Sequence, residues 1–83
     1  MSQSDRMYIL VRILSNIHEY NVESDETRRK KLMKTIKELS AQYFKPEHLQ
    51  IMRIDNDVDF LGRIEHFALE FLELYIVNLP SHL

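Results

Sequence analysis

Acidic side chains alternate along Asp55, Asp57 and Asp59, a spacing that resembles the opening of a calcium-binding loop. Such a loop needs glycine at its sixth position for a sharp turn and a bidentate glutamate at its twelfth. This chain has Phe60 and His66 at those two positions. We therefore predict no calcium site and expect the acids to cap a helix, because carboxylates there accept hydrogen bonds from free backbone amides.

His66 and Glu70 are four residues apart, so a helix places both on one face, with Asp59 about two turns earlier. This spacing could hold a divalent metal, but no second histidine lies at ligand spacing from His66. A weak ion pair between His66 and Glu70 accounts for the same spacing. We predict no metal site and no cofactor.

Catalytic chemistry has little support in the sequence. The chain has no cysteine, and it has neither a glycine-rich phosphate loop nor a Ser/His/acid arrangement tied to a known turn. Its 83 residues leave little room for a sizeable pocket. We therefore predict no catalytic residues and expect that the protein is not an enzyme.

Cationic side chains cluster in the second quarter of the chain, at Arg28, Arg29, Lys30, Lys31, Lys34 and Lys37. Such a cluster can bind phosphates, but three acids lie close to it and no aromatic side chain lies among the cations to stack on bases. The net charge of −2 does not favour nucleic acid either. The interpretations are a solvated helix face, a surface for an acidic protein, or a nucleic-acid-binding surface.

Helical periodicity and end signals predict three long helices and one short one, over about residues 4–20, 24–44, 46–54 and 57–78. We expect Ser4 and Ser24 to begin the first two helices, Pro46 to occupy the first turn of the third, and Asp55 or Asp57 to cap the fourth. Pro80 is expected to end the last helix. Residues 50–54 alternate apolar and polar, so a short strand is the alternative there.

The last predicted helix has an apolar arc of roughly 220°, whereas an ordinary surface helix needs little more than about 100°. Its apolar side chains are Val58, Leu61, Ile64, Phe67, Ala68, Leu69, Phe71, Leu72, Leu74, Tyr75 and Ile76. We predict an all-α fold, a small antiparallel bundle of three long helices plus one short helix in a single domain over residues 1–83, with the C-terminal helix central.

The first predicted helix also has a wide apolar side, roughly 200° by the same counting. His18 lies in line with Met7, Val11 and Leu14 on that side. We predict that His18 is buried and hydrogen-bonded at a helix seam. The excess apolar surface of the first and last helices predicts that they also bind another protein chain.

The function predicted from these features is protein–protein interaction by a small non-enzymatic helical protein, most simply a homodimer. Such a protein would act as an adaptor, an inhibitor, an immunity-like binder or a regulator. The predicted interface anchors are Phe60, Phe67, Phe71, Leu74 and Tyr75, because aromatic side chains contribute most to interface energy. The alternative is a nucleic-acid-binding regulator that uses the basic cluster.

The expected compartment is the cytoplasm. The chain has no cysteine, its first residues lack the layout of a signal peptide, and no stretch approaches the roughly 18 apolar residues of a membrane span. We expect a partner to be a protein, most simply a second copy of the chain, and we expect no membrane.

Overall fold

The predicted all-α fold is confirmed. The computed structural model describes residues 2–52 and 56–77. Within these ranges the chain forms four helices and no strand: α1 covers Gln3–Val22, α2 covers Glu26–Tyr43, α3 covers Pro46–Met52 and α4 covers Asp57–Val77. The helical alternative is therefore the correct one for residues 50–52, while Ile54, Asp55 and Pro80 lie outside the described residues.

Each long helix begins at a side chain that accepts a backbone hydrogen bond. Ser2, and not the predicted Ser4, caps α1 and forms a capping box with Asp5. Asp25, one residue after the predicted Ser24, caps α2 by accepting from the amide of Arg28 at 3.0 Å. Before α4, the side-chain oxygen of Asn56 accepts from the amide of Asp59 at 2.9 Å. In each case the cap is one or two residues away from the expected one.

The long helices α1 and α4 run antiparallel. Arg6, near the start of α1, donates to the hydroxyl of Tyr75 near the end of α4 at 2.9 Å. At the other end, Ile17 of α1 lines a groove together with Leu61 of α4. Helices α1 and α2 are likewise antiparallel, because Arg29 at the start of α2 lies over the ring of Tyr20 at the end of α1.

The central position that the sequence predicts for the last helix belongs to α1. Helix α1 packs closely along both α2 and α4, whereas α2 and α4 meet mainly through long side chains. The apolar arc of α4 is wide for another reason: Leu69 and Ile76, which extend that arc, are exposed. Much of its width is therefore outer surface, not core.

The core contains apolar side chains from all four helices. Its buried members are Ile9, Leu10, Ile13, Ile17, Met33, Ile36, Leu39, Phe44, Leu49, Phe60, Leu61, Ile64 and Ala68. Ser40 is also fully buried, and its hydroxyl donates to the carbonyl of Ile36 at 2.7 Å, so its polar group is satisfied within its own helix. None of the described helices is both long and apolar enough to cross a bilayer.

The prediction that His18 is buried is wrong. Its side chain is exposed, although it shares a side of α1 with residues such as Val11. The reason is that α1 buries the side centred on Leu10, Ile13 and Ile17, about a third of a turn away. Val11 and His18 belong instead to the outer side of the helix.

Candidate protein-interaction surface

One of the five predicted anchors lies in the core. Phe60 is 1% exposed and packs inside the chain, so it is not available to a partner, and its prediction as an interface residue is wrong. The spacing of apolar residues on α4 could not separate Phe60 from the others, because core and surface residues are adjacent on the same wide arc.

Three further anchors belong to an aromatic cluster at the end of the bundle where α2 and α4 both end. The ring centre of Phe71 lies 5.9 Å from that of Tyr43 and 6.0 Å from that of Phe44. Phe67 stacks on Phe71 with ring centres 6.4 Å apart. These spacings are typical of favourable aromatic pairs, and the rings are half-buried, so the cluster holds α2 against α4.

Tyr75 joins this cluster to α1 through hydrogen bonds. Its hydroxyl accepts from Arg6 and lies 3.1 Å from the hydroxyl of Tyr43, and the guanidinium carbon of Arg6 is 4.5 Å from the ring centre of Tyr43. The hydrogen bond with Tyr43, aided by Arg6, lowers the pKa of Tyr75. Burial, followed by the hydrogen bond with Tyr75, raises the pKa of Tyr43 to about 12. We call this end of the bundle, with its aromatic cluster, the closed end.

Leu74 differs from the other predicted anchors because it is exposed. By helical spacing it projects beside Phe67, on the flank of α4 opposite to Leu72 and Ile76. It is thus a surface residue on a different side of the helix from Val58, Leu69 and Ile76, and the exposed Val77 lies next to it, three residues further on.

The basic cluster of α2 is divided between different environments. Arg29 lies over Tyr20 with its guanidinium carbon 4.1 Å from the ring centre, and it donates to the carbonyl of Glu23 at 3.1 Å. Lys37 pairs with Asp57 of α4 at 3.1 Å. Arg28 is exposed and lies 3.9 Å from Glu23. Two of the six cations therefore have structural roles within the chain.

The lysines of the cluster lie on the outer side of α2, and Lys30, Lys31 and Lys34 are exposed. A shallow depression of about 450 Å³ runs along this side and is lined by Lys30, Met33, Lys34, Lys37, Glu38 and Ala41. All of its described lining comes from one helix, so the structure gives it the form of a solvated helix surface.

The outer side of α1 carries a stripe that sequence reasoning did not separate from the core. Its members are Tyr8, Val11, Ser15, His18 and Val22, at alternating spacings of three and four residues. All five are exposed, including Tyr8 at 63% and Val22 at 69%. Alternating spacings of this kind bring residues onto one line along a helix, as at the seam of a coiled coil.

A second stripe with the same alternation runs along α4. Its members are Val58, Gly62, Glu65, Leu69, Leu72 and Ile76. Val58 is 74% exposed and Leu69 is 52% exposed, while Leu72 is half-buried. The core-facing residues Leu61, Ile64, Ala68, Phe71 and Tyr75 alternate in the same way, so spacing alone could not have distinguished this stripe from the core.

The two stripes lie on neighbouring helices, and each combines exposed apolar residues with polar residues or glycine near its centre, at Ser15 and His18 on α1 and at Gly62 and Glu65 on α4. Helices α1 and α4 are adjacent and antiparallel, and helical spacing turns both stripes to the side of this helix pair that faces away from α2. We call this surface the α1/α4 face. Contiguous exposed apolar surface on a small domain marks an interaction site more often than it occurs by chance.

A groove of about 340 Å³ lies between the end of α1 and the start of α4, beside the α1/α4 face, and Arg29 at the start of α2 also lines it. Ile17, Val58, Leu61 and Gly62 supply its apolar part, and Tyr20, Asn21, Arg29 and Glu65 surround it. A Cβ atom built on Gly62 would meet nothing within 4 Å, so the space above this residue is open. We call this end of the helix pair the open end.

The two metal-site patterns have structural explanations. His66 Nε2 lies 3.3 Å from Glu70 Oε1, as expected for an exposed pair one turn apart. Asn56 and Asp57 lie at the start of α4, where Asn56 caps the helix. Among residues 2–52 and 56–77, no three His, Asp or Glu side chains are grouped so as to hold a metal ion.

Comparison with known proteins gives no relative: no family, no curated protein and no solved structure matches the chain.

Proposed function

We propose that this protein acts by protein–protein interaction, as a non-enzymatic homodimer joined through the α1/α4 face. The observation that carries the proposal is the pair of exposed stripes with coiled-coil spacing on adjacent helices. A homodimer requires a self-complementary surface, and a flat layer of two antiparallel helices can pack on an identical layer to form a four-helix arrangement.

The exposed residues of the α1/α4 face support self-association better than the predicted aromatic anchors do. Tyr43, Phe67, Phe71 and Tyr75 make their ring and hydrogen-bond contacts within the chain. The exposed apolar side chains of the α1/α4 face, by contrast, have no core to cover them, and burial of each would contribute favourably at about 25 cal/mol per Å² of apolar surface. A dimer formed in this way could serve as an adaptor, an inhibitor or a regulator, with its remaining surface available to other proteins.

Nucleic-acid binding receives less support. Arg29 and Lys37 are already engaged with Tyr20 and Asp57, and the exposed strip of α4 carries acidic side chains such as Glu70 and Glu73, which repel phosphates. We therefore propose protein–protein interaction and not nucleic-acid binding.

Light scattering of solutions over about a hundredfold range of concentration tests the proposal, because dimerisation follows mass action. Two variants of the same helix make the test specific: Leu69→Asp on the α1/α4 face and Leu74→Asp on the opposite flank, at positions 52% and 56% exposed. We expect the wild type and Leu74→Asp to have the mass of two chains and Leu69→Asp the mass of one.

Helix content by circular dichroism is the control, and we expect it to be the same in all three proteins because both substituted side chains are exposed. A wild type that stays monomeric throughout the range would refute the homodimer. Dissociation of Leu74→Asp with an intact Leu69→Asp dimer would move the interface to the flank of Phe67 and refute the α1/α4 face.

A further inference from the structure

Gly62 has no role that the chain itself explains. It is the only glycine of the sequence and lies inside α4, where glycine is among the least favourable residues. Its backbone does not have the positive φ that favours glycine, and among the described residues no atom would lie within 4 Å of a Cβ there. Neither packing nor backbone conformation within the described structure therefore requires a glycine at this position. The open space at Gly62 is available to a residue of another chain.

The two stripes of the α1/α4 face match one another when run antiparallel. Read backwards along α1 and forwards along α4, the stripe residues follow each other at the same spacings of three and four residues. Once one residue of α1 is placed opposite one residue of α4, the remaining stripe residues therefore face each other as well. One such alignment pairs Val22 with Val58, His18 with Gly62, Ser15 with Glu65, Val11 with Leu69 and Tyr8 with Leu72. It places the large His18 side chain opposite the residue without a side chain.

The contacts within the chain favour this alignment over its shifted alternatives. Arg6 meets Tyr75 at the closed end, and at the open end Ile17 and Asn21 share the groove with residues 58–65 of α4. A two-fold axis parallel to the helices would carry α1 of a second copy to the same level along α4 that α1 has within the chain. At that level, residue 18 of the second copy lies beside residue 62.

Charge distinguishes this arrangement from one in which α4 packs on α4. Helix α4 carries five acidic side chains and Arg63, whereas α1 carries two of each sign, Asp5 and Glu19 with Arg6 and Arg12. Pairing α4 with α4 brings like charges together, and pairing α4 with α1 of the second copy does not. In the groove, His18 of the second copy would lie near the carboxylate of Glu65 and the guanidinium of Arg29, which both line it.

We propose that the groove at Gly62 receives His18 of a second copy of this chain, in a dimer that packs α1 of each copy antiparallel on α4 of the other. The site is incomplete without the second copy, because the groove and the imidazole come from different chains. This pairing rests on the proposed homodimer and adds its orientation, its alignment and the residue that fills the groove.

Cysteine crosslinking tests the pairing directly, since the chain has no cysteine of its own. The single variants His18→Cys and Gly62→Cys are prepared separately, mixed and oxidised mildly. A disulfide requires Cα atoms within about 4.4–6.8 Å, so it forms only between positions that face each other. We expect a crosslinked pair of chains in the mixture, little or none in either variant alone, and none when both chains also carry Leu69→Asp.

The alternative α4-on-α4 packing has its own signature. In the antiparallel register that pairs the two α4 stripes along their whole length, Val58 faces Ile76 and Gly62 faces Leu72, so a mixture of Gly62→Cys with Leu72→Cys would crosslink in preference to the mixture with His18→Cys. That result, obtained with a dimer present by light scattering, would overturn the His18 pairing and leave the proposed homodimer standing. Absence of a dimer would overturn both.

Discussion

The two ends of the α1/α4 pair have the same backbone arrangement and opposite surfaces. At the closed end, Tyr43, Phe71 and Tyr75 fill the space between helices, Arg6 donates to the hydroxyl of Tyr75, and the hydroxyls of Tyr75 and Tyr43 are hydrogen-bonded to each other. At the open end, α4 offers Val58 and Gly62, and a groove of about 340 Å³ remains. Side-chain size along one helix accounts for the difference.

This contrast separates two uses of apolar side chains that look alike in the sequence. The rings late in α4 make their contacts within the chain and stabilise the fold, as Phe60 does early in α4, whereas Val58 and Gly62 on the outer side of the start of α4 leave a groove unfilled. The proposed interaction would use this open end.

Truncating a ring at the closed end is expected to give the largest effect. Phe71→Ala removes the ring that contacts Tyr43, Phe44 and Phe67, and we expect a loss of about 2–3 kcal/mol in the free energy of unfolding, somewhat below the range for a fully buried phenylalanine. The measurement is urea unfolding monitored by circular dichroism. The Leu69→Asp background keeps the chain monomeric, so the loss reports on folding alone.

Val58→Ala in the same background is the matched change at the open end. Val58 is 74% exposed, so we expect a change within about 0.5 kcal/mol. Equal losses for the two variants would contradict the distinction between a closed and an open end.

The sequence was sufficient to predict where the helices lie, but it was not sufficient to predict which side of each helix is buried. Pro46, the capping residues and the apolar periodicity predicted the four helices with boundaries that differ from the observed ones by at most two residues. The central helix and the exposure of His18 were missed, because an apolar arc gives no sign of which part meets a neighbour and which part meets solvent. Only long-range contacts, such as Arg6 with Tyr75, fix the rotation of each helix.

The predicted interface anchors and the basic cluster show the same limit of what a sequence pattern can predict. Aromatic character selected Phe60 and Phe71 as interface anchors, and both make their contacts inside the chain. Exposed aliphatic residues such as Val58 and Leu69 carried a weaker compositional signal, although their spacing was present in the sequence. Arg29 and Lys37 were likewise chosen for charge, and their partners Tyr20 and Asp57 lie too far along the chain for spacing to reveal.

A smaller effect of opposite sign is expected at Gly62. Gly62→Ala should raise the free energy of unfolding of the Leu69→Asp monomer by about 0.5–1 kcal/mol, because alanine is the better helix residue and its Cβ meets no atom within 4 Å. Urea unfolding measures it. A lower stability would show that the open end is packed for folding after all, and the contrast between the two ends would fail.

The smallest effect concerns the ionisation of the phenols at the closed end. Tyr75 has a lowered pKa, so its phenolate is favoured in the folded chain, and this contribution to stability is present above the pKa of the unfolded chain, about 10. Tyr43 has a pKa raised to about 12, so its neutral form is favoured. Its contribution is complete below the pKa of the unfolded chain and is lost as the pH rises from about 10 towards 12.

These opposing directions predict that Tyr75 and Tyr43 ionise in separate steps in the folded chain, Tyr75 before Tyr43. Near-ultraviolet absorbance of tyrosinate as a function of pH measures these steps. Tyr75→Phe should remove the earlier of the two steps and Tyr43→Phe the later one. Ionisation of Tyr43 and Tyr75 in one step in the wild type would mean that Arg6, Tyr43 and Tyr75 do not form a network in solution, and that the closed end is held by its phenylalanines alone.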